Sequence, residues 1–281
     1  MTLAFEALRR FLYERSGLSL EGDKLYLVES RLLPIAREAG LIDLAGLVKR
    51  LQAGDRDLAQ SVIDAMTTNE TFFFRDRVPF AKFRNVMLPH LLEKRAAERR
   101  LRIWCAACST GQEPYSLAML LDEEARRLTG WNVEILATDL SRRVIESARQ
   151  GLYSQFEVQR GLPITMLLRY FQRAGDRWQV NEFLRSRVTF REFNLMSDFR
   201  PLGTFDAIFC RNVLLYFDVP TKRDILARLS KVLTRDGFLL MGSAETVIGL
   251  SDAFTPHDDH PTLFVHKATQ RQRPELMLVA N

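Results

Sequence analysis

The stretch Trp104-Cys-Ala-Ala-Cys-Ser-Thr-Gly-Gln-Glu-Pro-Tyr-Ser116 decides the fold. An apolar run, Leu101 to Ala107, stops at a small-residue turn that ends in Gly111. A helical pattern follows, with Leu117, Leu120, Leu121 and Leu128 on one side. Strand, tight turn and helix make the first crossover of a dinucleotide-type α/β fold, whose ligands sit at the carboxyl ends of the strands. The turn has one glycine and lacks Gly-x-Gly-x-x-Gly. A pyrophosphate needs close backbone approach and a free helix N-terminus. This turn instead puts Glu113 in the first turn of the helix. A carboxylate there repels phosphate and accepts hydrogen bonds from a cationic or hydroxyl-bearing ligand.

S-adenosylmethionine, a sulfonium nucleoside, is a ligand of that kind. Further along, Asp139 closes a second strand in Ile-Leu-Ala-Thr-Asp-Leu-Ser. An acid at that strand tip can accept both ribose hydroxyls, or it can cap the helix that begins near Ser141. A third buried strand, from Phe205, ends in Arg211-Asn212, with Tyr216 about one helical turn later. Tyr216 reads either as a cleft residue or as a core aromatic.

Around these segments the pattern alternates. Strands are expected at 101–107, 132–138, 205–210, 237–243 and 262–267, and helices at 112–128, 141–149 and 219–232. Alternation of this kind predicts a mostly parallel sheet covered on both faces. Residues 151–192 interrupt it with a helix near 163–171 and two short strand-like pieces, 177–183 and 187–193, and read as an inserted subdomain. Residues 1–66 read as four helices, the second from about Asp23 to Ala39 with Pro34 as a possible kink, and predict a small bundle. Residues 67–78 read as an ordered linker over the next domain. A long helix from Pro79 to Arg100 opens the domain at 79–267, and 268–281 reads as a tail.

Composition narrows the class. The chain is 47% hydrophobic and 27% charged, as ordinary globular domains are. No apolar run approaches the roughly 20 residues that span a bilayer, and the N-terminus is not patterned as a signal peptide. Three cysteines give no even disulfide framework, so a reducing cytoplasm is expected. Cys105 and Cys108 form a C-x-x-C, readable as a redox pair, half a metal site, or packing. Residues 142–191 hold ten Arg against four acids. That excess suits an acidic partner or is a solvated surface.

Four segments occur in order: Thr-Thr-Asn-Glu-Thr-Phe-Phe-Phe-Arg (67–75), Ser-Thr-Gly-Gln-Glu-Pro-Tyr-Ser (109–116), Ala-Thr-Asp-Leu (137–140) and Cys-Arg-Asn-Val-Leu-Leu-Tyr-Phe (210–217). Together they resemble the CheR family, the chemotaxis receptor glutamate O-methyltransferases, over nearly the whole chain. The resemblance implies a class I S-adenosylmethionine-dependent methyltransferase (Rossmann-like) α/β sheet. It also implies an inserted small β-subdomain and a separate all-α N-terminal domain. The activity it implies is methyl transfer from S-adenosyl-L-methionine to glutamate carboxylates on chemoreceptor cytoplasmic helices, giving S-adenosyl-L-homocysteine and sensory adaptation.

The resemblance also assigns residues. Asn69, Thr71 and Arg75 match linker contacts to the cofactor, and Glu113 and Asp139 match its carboxylate partners. Asn194 and Leu195 match a pair flanking the adenine. Arg211 and Asn212 match the strand-end pair, and Tyr216 matches the tyrosine near the transferred methyl. Arg75 and Tyr216 are the expected catalytic pair. No metal, nucleic acid or membrane insertion is expected, and the compartment implied is the cytoplasm. Two departures bear on the partner. The stretch Gln172-Arg-Ala-Gly-Asp-Arg-Trp178 is short and has one glycine, where some members carry a glycine-rich turn that docks a receptor's terminal pentapeptide. The second N-terminal helix, basic and receptor-facing in the family, keeps Lys24, Arg31 and Arg37 but carries Leu33-Pro34-Ile35. Pentapeptide-independent recognition is therefore expected. The rival readings are a nucleic-acid methyltransferase, which would usually carry Asn/Asp-Pro-Pro-Tyr/Phe where this chain has Arg-Asn-Val-Leu, and a non-catalytic adaptor.

Overall fold

Four helices open the chain: α1 (Leu3–Ser16), α2 (Leu25–Glu38), α3 (Leu44–Gln52) and α4 (Arg56–Met66). The computed structural model describes residues 3–20, 24–257 and 260–270. The expected helix start at Asp23 and the expected tail from 271 onward lie outside these residues. The apolar stripes of the four helices share one core, with Phe5, Leu8, Leu12, Val28, Leu32, Leu47 and Val62 fully buried. Each such side chain contributes about 1.5–3 kcal/mol, which holds helices too short to persist alone. The Asp43 and Asp55 carboxylates accept from the N–H groups of Gly46 and Leu58 at 2.8 and 3.0 Å, starting α3 and α4. Arg31 turns inward. Its guanidinium donates to the carbonyls of Ala65 and Met66 at 3.3 and 3.1 Å, where the negative end of α4 favours a cation. Pro34 lies inside α2 without ending it.

After the linker, α5 (Val78–Lys82), a π-helical stretch (Phe83–Met87) and α6 (Leu88–Lys94) run on continuously. They stop at Lys94, short of the expected Arg100, which instead opens β1 (Arg100–Ala106). Then come α7 (Gln112–Glu123), β2 (Asn132–Asp139), α8 (Arg142–Gln150), β3 (Leu152–Tyr153), α9 (Gln155–Gln159) and α10 (Ile164–Tyr170). β4 (Phe171–Ala174), β5 (Arg177–Val180), α11 (Glu182–Arg185), β6 (Val188–Glu192), β7 (Phe205–Cys210) and α12 (Val219–Val232) follow. β8 (Leu233–Met241), β9 (Phe254–His257) and β10 (His260–His266) complete the sheet.

Seven strands form one sheet in the order β6-β2-β1-β7-β8-β10-β9. The first five run parallel, and β10 runs antiparallel to both β8 and β9. This is the mostly parallel sheet that the strand–helix alternation predicts. One expectation changes. The piece at 187–193, assigned above to the insert, pairs with β2 as the edge strand of the main sheet. Val188 and Phe190 are buried while Thr189, Arg191 and Glu192 are exposed, so the half-exposed strand reads as peripheral. The insert's own sheet has three antiparallel strands in the order β3-β5-β4. A second expectation also changes. α7 is not amphipathic in place, because every residue from Gln112 to Leu121 is buried. The linker and the insert cover its outer side: Phe74 N–H donates to Ser116 Oγ at 3.0 Å, and Tyr170 OH of the insert donates to Asp122 Oδ2 at 3.0 Å. Among the described residues no helix is long and apolar enough to cross a membrane.

Candidate functional site

The strand order reverses between β1 and β7, and the carboxyl ends of β1, β2 and β7 open there on one side. The chain leaving β1 turns sharply, with positive φ at Ala107 (63°), Ser109 (51°) and Gly111 (95°). Asp139, at the tip of β2, holds that turn. Its Oδ2 accepts Ser109 N–H at 2.8 Å and its Oδ1 accepts Ser141 N–H at 3.0 Å. Ser141 is the cap of α8, accepting Val144 N–H on its own hydroxyl. Asp139 is therefore not the N-cap, and each carboxylate oxygen keeps a further acceptor position. Burial pushes its carboxyl pKa up, while the N–H groups of Ser141 and Ser109 oppose the shift.

Arg211, leaving β7, is buried, with its side chain only 2% exposed. Its guanidinium donates to Glu113 Oε2 at 2.8 Å, to Asp76 Oδ2 at 2.7 Å and to the Arg75 carbonyl at 3.0 Å. Burial pushes the Glu113 carboxyl up, and the Arg211 charge pulls it back. A charge buried in this way is tolerated because it is paired and hydrogen-bonded. One donor stays without a partner among the described residues: the Arg211 Nε–H, which is buried.

The linker crosses this floor. Ser109 Oγ donates to the Asn69 carbonyl at 2.7 Å. Arg160 of the insert donates to Glu70 at 2.6 Å and lies over the Phe72 ring at 4.4 Å. Arg75 folds back on the same segment, donating to the Glu70 carbonyl at 2.8 Å.

The N-terminal bundle supplies the roof. Ser19 N–H donates to the Tyr216 carbonyl at 3.0 Å, Asn194 Nδ2 to the Arg15 carbonyl at 2.6 Å, and Tyr13 OH to Asp218 at 3.0 Å. At Gly17 a Cβ would lie 2.6 Å from Met196 Sδ and 2.8 Å from the Phe217 ring, so a side chain would push bundle and sheet apart.

Between floor and roof lies a cleft. All ten residues singled out from the sequence line it: Asn69, Thr71, Arg75, Glu113, Asp139, Asn194, Leu195, Arg211, Asn212 and Tyr216. The lining fits a cationic nucleoside. Three carboxylates, Glu70, Glu113 and Asp139, stand on it together with apolar Leu140, Phe193 and Leu195, and an orphaned guanidinium N–H lies in its wall. Sequence reading missed Asp76, the second anion on Arg211, and Ser16 and Leu18, which the bundle contributes. Asp76 follows Arg75 directly, but its partner is 135 residues away and gives no local signal. Cys105 and Cys108 are buried, and burial pushes both thiols well up, so the C-x-x-C is packing rather than a thiolate pair.

Two family models match. One, described as the CheR methyltransferase SAM binding domain, covers residues 69–261, and one described as the CheR methyltransferase all-alpha domain covers residues 3–67. The chain is 44% identical over 257 residues to chemotaxis protein methyltransferase Cher2 of Pseudomonas putida, covering 90% of this chain and 93% of that protein. It is 44% identical over 254 residues to chemotaxis protein methyltransferase 1 of Pseudomonas aeruginosa (89% and 92% covered). It is 41% identical over 249 residues to a chemotaxis protein methyltransferase of Vibrio parahaemolyticus (87% and 90% covered).

Proposed function

Because the chain belongs to the CheR family of S-adenosylmethionine-dependent chemotaxis methyltransferases, we propose that it methylates glutamate side chains on the cytoplasmic helices of a chemoreceptor. The observation that carries this reading is the convergence of four separated segments on one cleft, with the Glu113 and Asp139 carboxylates, Arg75 and Tyr216 on the same lining. When bound, S-adenosylmethionine supplies an electrophilic methyl; the substrate carboxylate oxygen bonds to it as the carbon–sulfur bond breaks and its electron pair goes to sulfur.

The nucleophile needs no base, because a glutamate of pKa about 4.3 is ionised at neutral pH. What the chain must do is position and partly desolvate it. The reaction cancels a cation against an anion, so a strong clamp on the carboxylate would favour the ground state over the transition state. Arg75 and Tyr216 suit that demand. Arg75 shares its guanidinium with the Glu70 carbonyl and the Phe72 face, so what it offers a substrate is a modest hydrogen bond. Glu113 and Asp139 hold the cationic and hydroxyl parts of the nucleoside, with Asn69, Thr71, Asn194, Leu195, Arg211 and Asn212 completing its pocket.

The partner is a methyl-accepting receptor acting in the cytoplasm, not nucleic acid. Arg160, Arg169 and Arg187 of the basic stretch 142–191 are paired with Glu70 and Asp122, which lowers the free charge available to a polyanion. β4 and β5 are joined only by Gly175-Asp176, and this short turn supports recognition without a terminal pentapeptide.

The test is tritiated methyl transfer to receptor-rich membranes. Label should enter protein and leave as methanol in alkali, since esters hydrolyse there. Alkali-stable label, or label on nucleic acid, sinks the glutamate assignment. Micromolar binding to a receptor-tail pentapeptide would overturn the tether-free reading.

A further inference from the structure

We propose that Glu245, in the loop after β8, is a positioning residue that sets the geometry of the Asn212–Tyr216 segment. Glu245 is 8% exposed and does not line the cleft. Four main-chain N–H groups converge on its carboxylate. Val213 and Leu214 donate to Oε1 at 2.9 and 2.8 Å. Asn212 and Gly242 donate to Oε2 at 2.7 and 2.8 Å. A carboxylate offers about four acceptor positions, so its capacity is filled.

Three of the donors are consecutive, and consecutive N–H groups point at one atom pair only in a tight concave turn. That turn begins at Asn212, whose φ of 57° is one that side chains rarely adopt. Such a conformation persists only where its surroundings over-determine it, and the Glu245 carboxylate supplies that determination. Gly242 makes room for it. A Cβ there would lie 2.7 Å from Glu245 Oε2, 2.9 Å from Asn212 Nδ2 and 3.0 Å from Asn212 N. The strained residue, its clamp and the space the clamp needs therefore form one device built from the exits of β7 and β8.

Asn212 and Tyr216 stand at the two ends of the clamped segment, and both line the cleft. Nucleoside affinity and turnover therefore both depend on a carboxylate that touches neither ligand. The turnover half of this inference rests on the placement of Tyr216 proposed above; the affinity half does not.

Glu245→Gln keeps the shape but turns one oxygen into an NH₂, so two of the four donors then face a donor. In the ligand-free variant, amide exchange at Asn212, Val213, Leu214 and Gly242 should quicken by about tenfold or more relative to Ile208 and Phe209 of β7. S-adenosylhomocysteine affinity, by calorimetry, should fall about tenfold or more, with kcat falling as well as KM rising. Gly242→Ala, which leaves the carboxylate in place, should give the same signature, and the double variant should lose less than the product of the two. Leu229→Ala in the buried face of α12 serves as the stability control. At a comparable drop in melting temperature it should leave those amides and that affinity unchanged. The proposal is overturned if Glu245→Gln keeps affinity and kcat within about twofold of the parent, or if Leu229→Ala loses affinity to the same extent. Exchange and affinity need no receptor, so a wrong substrate assignment would leave them standing and show only in the turnover arm.

Discussion

Gly161, between α9 and α10, meets the cofactor linker at its tightest point. Its φ is 87°, and a Cβ there would lie 2.0 Å from the Phe73 carbonyl oxygen and 3.2 Å from the Phe72 ring. Gly161→Ala therefore carries two costs. The left-handed backbone costs an alanine about 1–2 kcal/mol. The clash must be relieved by moving backbone, since a carbon and a carbonyl oxygen rest no closer than about 3.3 Å. The linker is poorly placed to yield, because Phe73 is fully buried and edge-on to Tyr153 at 5.0 Å and Phe171 at 5.5 Å. Overpacking of that kind adds about 1–3 kcal/mol, for a sum of about 2–5 kcal/mol. At about 2–4 °C per kcal/mol the melting temperature should fall by roughly 4–20 °C. A linker pushed by about 1 Å carries Asn69 and Thr71 with it, and misplacement of that size costs up to about a hundredfold. Affinity for S-adenosylhomocysteine should thus drop about 10- to 100-fold. Gly175→Ala is the matched comparison, with φ 66° and nothing within 4 Å of its Cβ. It should cost only the backbone part, about 1–2 kcal/mol, and keep full affinity. Scanning calorimetry and isothermal titration read both quantities. If Gly161→Ala melts within about 2 °C of Gly175→Ala, or binds as the parent does, the insert does not fix the linker and the reasoning fails.

Tyr216→Phe should lower kcat about tenfold, the worth of one hydrogen bond of about 1.4 kcal/mol, and leave nucleoside affinity intact. A collapse of affinity would make Tyr216 a cofactor residue instead. Glu113→Gln strips the buried Arg211 of one of its two anionic partners. At about 1.5–3 kcal/mol for a charged hydrogen bond, nucleoside affinity should fall about 10- to 100-fold, and an unchanged titration refutes the role. Asp236 is held below its usual 3.8 mainly by the hydrogen bonds from Arg95. A depressed carboxyl stabilises the fold above the unfolded pKa, and that contribution fades as pH falls through the folded one. Asp236→Asn should therefore cost about 1 kcal/mol at neutral pH, discounted because the pair is partly solvated. The gap in melting temperature should close as pH drops below 3.8, and a gap constant from pH 7 to 2 would contradict the linkage.

What the sequence made legible was local. Trp104–Ser116, Asp139 and Arg211–Tyr216 each announce a strand end by an abrupt change from apolar to small or polar residues, and one period suffices to read them. Partners distant in sequence stayed hidden. Nothing near Arg31 says that it ties α2 to the end of α4, and nothing near Glu245 says that three of its four donors are Asn212, Val213 and Leu214, far upstream. β6 hid for a different reason: as a half-exposed edge it carries less apolar signal than the central strands, so it merged with the insert that precedes it. α7 showed a helical period and then lost its solvent face to the linker and the insert, whose coverage is a tertiary fact.

The hidden contacts share a purpose. Among the described residues, the non-glycine positive-φ positions are Phe74, Asp76, Arg77, Arg99, Ala107, Ser109 and Asn212. All but Arg99 lie in the three segments that border the cleft. Strained residues cost about 1–3 kcal/mol each and survive only where something external fixes them. Each of these segments is fixed by a charged side chain from elsewhere in the chain: Ser109 by Asp139, the Asp76 turn by Arg211, and Asn212 by Glu245. Charged hydrogen bonds suit the task because they are directional and roughly twice as strong as neutral ones. In a reaction that cancels charge, catalysis leans on placement rather than on strong electrostatic stabilisation. A cleft of that kind needs its loops held before the ligand arrives, and the buried charges are spent on holding them.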